Sequence, residues 1–298
     1  VHIQLKRFGL ILAATLFFAA GCDSSSESDE PSAPKTPKTA ETSPVPAEAV
    51  PQASAKSIEK AAKRFTLKKI IQAHREQLKN APGRTGILKE KKRYSLFDEE
   101  LIIRDFFQDR EGGYFVDVGC AWPIIANNTY YLEKHLGWTG VGIDALEEHA
   151  PIWRRDRPGS KFFTYLVTDH SGTEDSFYKS QSRGLSSADR GRADGKHFGG
   201  TLEVEEVKVQ SITLTDLLDN EGIGKIDLLA MDIEGHELNA LHGFDIDRFR
   251  PELVVTEGKR PDVAAFFEEH GYEVIERYRA FDLVNDYFRR SDRVSTTP

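Results

Sequence analysis

From Gly113 onward, short apolar segments alternate with stretches of helical spacing. Strands separated by helices cannot be closed by tight hairpins. They pair in parallel through crossovers, so the alternation predicts an α/β domain around a mainly parallel sheet. Residues 114–120 (YFVDVGC), 139–144 (TGVGID), 161–168 (KFFTYLVT), 226–231 (IDLLAM) and 252–256 (ELVVT) read as five strands in order. Residues 272–276 and 282–288 read as two more, paired at the sheet edge. A helix is expected over 128–135, with Gly137 as its stop. The stretch 177–208, which carries Gly184, Gly191, Gly195, Gly199 and Gly200, reads as an irregular insertion of the lid or substrate-loop kind. With 298 residues, 39% of them hydrophobic, the chain can bury one substantial core plus tails.

In open parallel sheets, ligands lie beyond the carboxyl ends of the strands, where the strand order reverses. The first strand ends in Asp117-Val118-Gly119-Cys120-Ala121, whose small residues let a ligand approach the backbone. The second ends in Asp144, 27 residues after Asp117, where a carboxylate can accept from both hydroxyls of a ribose. Together these match a nucleoside-binding βαβ unit. A dinucleotide site favours three glycines at the helix entrance to cradle pyrophosphate, but here Trp122-Pro123 follow. An S-adenosyl ligand carries no phosphate and tolerates that loss. The net charge of −8 does not suggest nucleic acid.

Gly113-Tyr114-Phe115-Val116-Asp117-Val118-Gly119, 128–133 (NTYYLE) and 137–140 (GWTG) resemble the FkbM family of class I methyltransferases. So do 212–214 (ITL), 225–229 (KIDLL), 231–237 (MDIEGHE), 241–244 (LHGF) and Arg250-Pro251, in the family's order. The resemblance implies a Rossmann-like fold: a seven-stranded, mainly parallel sheet with the last strand antiparallel and helices on both faces. It implies S-adenosylmethionine as cofactor and O-methylation of a small-molecule hydroxyl on a sugar, glycan or metabolite. On this chain it puts Asp117 and Gly119 along the methionine half of the cofactor, with Cys120 and Asn128 beside it. Asp144 falls at the ribose, Asp169 at the adenine amino group, and Asp232 and Glu234 at the sulfonium or the acceptor. Glu234, His236, Glu257 and His170 are candidate bases, though His236 with Gly235 and Glu237 also suits a helix cap. Asn128 and Thr129 likewise suit local bonds that start a helix. No cluster shows metal-ligand spacing, so no metal is expected. The family usually has Asn or Asp and a second Gly where this chain has Cys120-Ala121-Trp122-Pro123, which brings Trp122 toward the cofactor cleft. The competing readings are a membrane-tethered, non-catalytic binding protein on the same fold, or a glycosyltransferase. The second lacks a D-x-D motif on a suitable loop.

The N-terminus reads differently. Lys6 and Arg7 precede an uncharged apolar run, 8–18, which is short for a roughly 30 Å hydrocarbon core. Ala19-Ala20-Gly21-Cys22 resembles a bacterial lipobox, so 1–21 is expected to be a signal peptide and Cys22 the lipidated residue. The only other cysteine is Cys120, which excludes a disulfide framework. Residues 22–55, with six of the 13 prolines, read as a disordered tether. Residues 56–93 hold 13 Lys or Arg against three Glu, with apolar residues at helical spacing. They read as a basic amphipathic helix that lies on an anionic bilayer or packs on the core. The catalytic domain is expected over 94–290 and a disordered tail over 291–298. The whole is expected to be membrane-anchored on the periplasmic or cell-envelope face, or cytoplasmic if translation starts elsewhere.

Overall fold

A computed structural model describes residues 93–196 and 202–291. The signal-type segment, Cys22, the tether, all but the last residue of the basic segment and most of the tail lie outside the described residues. No helix among the described residues is long and apolar enough to cross a membrane.

Seven strands form the central sheet: β1 (Tyr114–Val118), β2 (Thr139–Asp144), β3 (Ser160–Thr164), β7 (Leu228–Met231), β8 (Leu253–Glu257), β9 (Tyr272–Val274) and β10 (Asn285–Arg290). Their order is β3-β2-β1-β7-β8-β10-β9. All pairs are parallel except those of β10, which runs antiparallel to β8 and to β9. The expected edge pairing of the last two strands is therefore present. Successive side chains of β1 point to opposite faces, so each face builds its own core. Phe115 packs with Ile102, Trp138, Leu228 and Leu253 on one side; Val116 and Val118 pack with Val141, Leu229 and Phe267 on the other.

Helices cover both faces. They include α1 (Glu99–Phe107), α2 (Tyr130–Leu136), α3 (Ala150–Asp156), α4 (Arg190–Ala193), α5 (Leu214–Asn220), α6 (Glu237–His242), α7 (Ile246–Phe249) and α8 (Pro261–Glu269). Gly137 ends α2 in the left-handed conformation, φ +66°, as its position suggests. Trp138 is fully buried against Phe107, and its Nε1 donates to the Arg110 carbonyl at 2.7 Å.

Two expectations need correction. The apolar run 161–168 is not one strand. The chain leaves the sheet edge at Tyr165, whose N–H donates to the Asp144 carbonyl at 3.1 Å, and β4 (Leu166–Val167) joins a second sheet. The stretch 177–208 is not irregular throughout. β5 (Glu174–Ser180) and β6 (Val204–Ile212) form an antiparallel pair, and the second sheet runs β4-β6-β5. Phe177 and Val209 on this sheet bury their side chains with Leu146 and Leu166, which sets an apolar wall beside the carboxyl end of β2.

Candidate active site

The switch point of the sheet lies between β1, whose neighbours are β2 and β7, and the carboxyl ends of these three strands. A cleft opens there, lined by residues from the ends of all three strands. Its floor begins at Gly119, which adopts φ +79°. A Cβ at this position would lie 1.9 Å from the Asp232 carbonyl oxygen. Only glycine lets the turn after β1 pass this close to the turn after β7.

Asp144, at the end of β2, is held by the backbone. One oxygen accepts from the Ala121 N–H at 3.0 Å and the other from the Leu146 N–H at 2.8 Å, while His149 Nδ1 lies 3.2 Å away. The carboxylate is thereby fixed at the cleft wall. Cys120, Ala121 and Trp122 also line the cleft, with Trp122 near His149. Burial pushes the Cys120 thiol up, so it is a small apolar filler and no nucleophile.

The loop 120–129 is organised from behind by Asn127. Its amide nitrogen donates to the Trp122 carbonyl at 3.1 Å and to Asp117 Oδ2 at 3.3 Å. Its oxygen accepts from the Thr129 and Tyr130 N–H groups at 3.0 and 2.8 Å. Arg157, fully buried, reaches the Pro123 carbonyl, Asn127 Oδ1 and Thr129 Oγ1 at 3.0–3.1 Å and pairs with Glu133 at 2.6 Å. Asp117 accepts from Thr129 Oγ1 at 2.7 Å, and burial raises its pKa against the pull of that bond and of Arg157. Asp117 thus faces this network and not the cleft.

The opposite wall is acidic. Asp232 follows β7, Glu234 stands two residues on at φ +53°, and Glu257 closes β8. Met231 is level with Thr256 in the parallel pairing, which sets Asp232 beside Glu257. Carboxylate oxygens of Asp232, Glu234 and Glu257 lie within 4.8 Å of one another, an arrangement no linear spacing revealed. Glu234 and Glu257 are buried, whereas Asp232 is open to the cleft. Protein nonetheless crowds Asp232, and loss of solvation, with Glu237 next, raises its pKa to about 7. Burial, then the neighbouring carboxylates, push Glu234 and Glu257 well above the usual range. Glu237 is buried beneath them. It accepts from the Gly235 and Ile233 N–H groups at 3.1 and 3.3 Å and pairs with Arg260 at 3.1 Å, which holds the turn.

His236 lines the cleft at the start of α6, without capping it by its side chain. Burial lowers its pKa from the ordinary histidine value, which favours the neutral ring at pH 7. Its Nε2 lies 3.2 Å from Thr168 Oγ1, which donates to Asp169 at 3.3 Å. With the Thr168 proton turned to Asp169, the tautomer that carries its proton on Nε2 donates to the hydroxyl oxygen and leaves Nδ1 its lone pair. Asp169 itself is exposed and bound to His170 at 2.7 Å, outside the cleft lining. His170 is also exposed and bridges Asp169 and Asp175.

Of the residues singled out above, the fold brings Gly119, Cys120, Asp144, Asp232, Glu234 and His236 into one cleft. Asp117, Asn128 and Asp169 are not among its lining. Two positions that sequence reasoning missed matter here. Asn127 makes the helix-starting bonds that Asn128 was read as suited to; its signal is an Asn two residues before a helix cap. Arg157 has no local signal, because its partners are distant in sequence. Glu237 shapes the turn before α6, as its position beside Gly235 suggests.

The family model described as the methyltransferase FkbM domain matches residues 113–274, more than half of the chain. The chain is 32% identical over 105 residues to methyltransferase sdnD of Sordaria araneosa; the match covers 32% of this chain and 38% of that relative's length. Among solved structures it is similar to a TehB-like S-adenosylmethionine-dependent methyltransferase of Corynebacterium glutamicum. The TM-score is 0.36 and the identity 12%, over 74% of this chain and 97% of that one. It is also similar to an O-methyltransferase of Bacillus cereus in complex with S-adenosylhomocysteine. There the TM-score is 0.32 and the identity 13%, over 72% of this chain and 89% of the other. The match over residues 113–274 spans both cleft walls, and the chain belongs to the FkbM family of S-adenosylmethionine-dependent methyltransferases.

Proposed function

We propose that the protein methylates a hydroxyl of a small molecule, a sugar or another metabolite, including one carried on a glycan. The observation that carries this reading is a single cleft bounded by Asp144 on one side and by Asp232, Glu234 and His236 on the other. The lining suits the cofactor. The Gly119 turn keeps the backbone low at the cleft floor, Asp144 is a fixed acceptor for ribose hydroxyls, and Leu146, Leu166 and Phe177 offer an apolar shelf for a flat base. Bound there, S-adenosylmethionine supplies a methyl group on a sulfonium that leaves as a neutral thioether when an acceptor oxygen takes the methyl. Carboxylates at Asp232 and Glu234 favour a cation on their side of the cleft. His236, neutral and with Nδ1 unprotonated, takes the hydroxyl proton as the new carbon–oxygen bond forms, while Thr168 and Asp169 keep its tautomer.

The test is transfer of a labelled methyl group from S-adenosylmethionine to a panel of sugars and small hydroxylated metabolites. His236→Gln should lower the rate by about 10²–10⁴-fold while leaving cofactor affinity within a few-fold. Cofactor binding without transfer to any acceptor in a broad panel would favour a non-catalytic binding protein.

The second half of the reading rests on sequence alone: Cys22 carries lipid and tethers the domain to a membrane at the cell envelope, with the basic segment 56–93 against anionic lipid. Labelling with an alkyne fatty acid should mark the wild-type chain and not Cys22→Ser, and the variant should leave the membrane fraction. Equal labelling of both would remove the anchor.

A further inference from the structure

Nothing in the methyl-transfer reading requires three carboxylates to meet. Asp232, Glu234 and Glu257 nonetheless bring oxygens to within 4.8 Å of one another at the carboxyl ends of β7 and β8. Opposite oxygens around a cation bound at about 2.0–2.6 Å are separated by about 4–5 Å, so the set spans one coordination sphere. A second observation points to a ligand independently. Glu234 is only 6% exposed, and its Oε2 is buried without a hydrogen-bond partner. A buried carboxylate oxygen left unpaired carries its full desolvation cost, and native structures seldom keep one without a use. Arg192 opposes its charge: its guanidinium packs over Gly235, and it makes no hydrogen bond to that oxygen. Arg260 is committed to Glu237 and Asp262.

We propose that Asp232, Glu234 and Glu257 form a binding site for one hard divalent cation of the Ca²⁺, Mn²⁺ and Mg²⁺ class. The donor set is all oxygen, which selects such ions over zinc or copper. Glu234 and Glu257 hold the cation from the protein side. Asp232, open to the cleft, leaves the remaining positions facing it, where water or an acceptor's oxygens complete the shell. Joined to the methyltransferase reading, on which this further step rests, the cation would hold the acceptor hydroxyl and ease its loss of a proton to His236.

The full-length chain is titrated with MnCl₂, with free Mn²⁺ read by electron paramagnetic resonance and S-adenosylhomocysteine binding measured on the same preparations. One Mn²⁺ per chain is expected, displaceable by Mg²⁺ and weakened at least about tenfold by Glu234→Gln and by Glu257→Gln. Melting in Mn²⁺ against chelator gives a second readout. The wild type should melt higher with the ion and the two variants should not. Protein that binds S-adenosylhomocysteine yet takes up no Mn²⁺, or takes it up equally in both variants, overturns the cation site alone. Mn²⁺ uptake lost in the variants, by protein that ignores S-adenosylhomocysteine, supports the cation site and removes the cofactor reading.

Discussion

Replacing Gly119 by alanine tests the placement of the turn on which the cleft is built. Two costs add. At φ +79° an L-residue is disfavoured by about 1–2 kcal/mol. The new methyl would also stand 1.9 Å from the Asp232 carbonyl oxygen, 2.9 Å from its carbon and 3.0 Å from Ile233 Cγ2. Reaching ordinary contact means moving the Asp232 turn away from β1, against the bond from Asp232 N–H to the Val118 carbonyl at 3.0 Å. Overpacking of this kind costs about 1–3 kcal/mol. The sum centres at about 3.5 kcal/mol, which for a domain of about 200 residues lowers the melting temperature by roughly 7–14 °C. Gly137→Ala isolates the first cost: its φ is +66°, and a Cβ there would meet nothing within 4 Å. It should lower the melting temperature by only roughly 2–8 °C. Thermal unfolding of the three proteins in one buffer gives both numbers. Equal losses from the two substitutions, or no loss at Gly119, would refute the close approach of the two turns.

Arg157→Met removes the buried cation that ties Glu133, Thr129 and the Pro123 carbonyl together. It should destabilise the fold by about 3–5 kcal/mol and loosen the loop carrying Ala121, which thermal unfolding and cofactor titration would report. His170 is held between Asp169 and Asp175, whose bonds raise its pKa above the ordinary 6.5. Because the folded value is raised, its stabilising contribution is complete below the unfolded value and is lost as pH rises through the folded one. An NMR titration should place the His170 midpoint above 6.5, and Asp175→Asn should bring it down. A midpoint indifferent to that substitution would break the assignment.

Much of the sheet was legible because each strand of the first half is a short apolar run ending in Asp, Gly or Thr. The break at Tyr165 was not, since leaving one sheet for another does not interrupt hydrophobicity. The alternation of valines with charged residues over 204–209 does signal β6, but the glycines upstream masked its pairing with β5. At the site, Asp144 and Gly119 could be read from strand ends. Asp117 could not be resolved, because a strand residue's face depends on what packs there, and here Asn127 and Thr129 take its carboxylate. The meeting of Asp232 with Glu257 depends on the register of β7 against β8, which no local pattern encodes.

The account turns on a nucleoside cofactor lying between Asp144 and Asp232. Calorimetric titration of S-adenosylhomocysteine into the full-length chain and into Asp144→Ala tests this most directly. Saturable one-site binding by the wild type, weakened at least about tenfold by the loss of one charge-assisted acceptor, is the predicted result. Folded wild-type protein that takes up no S-adenosylhomocysteine, or binding indifferent to Asp144→Ala, would contradict it.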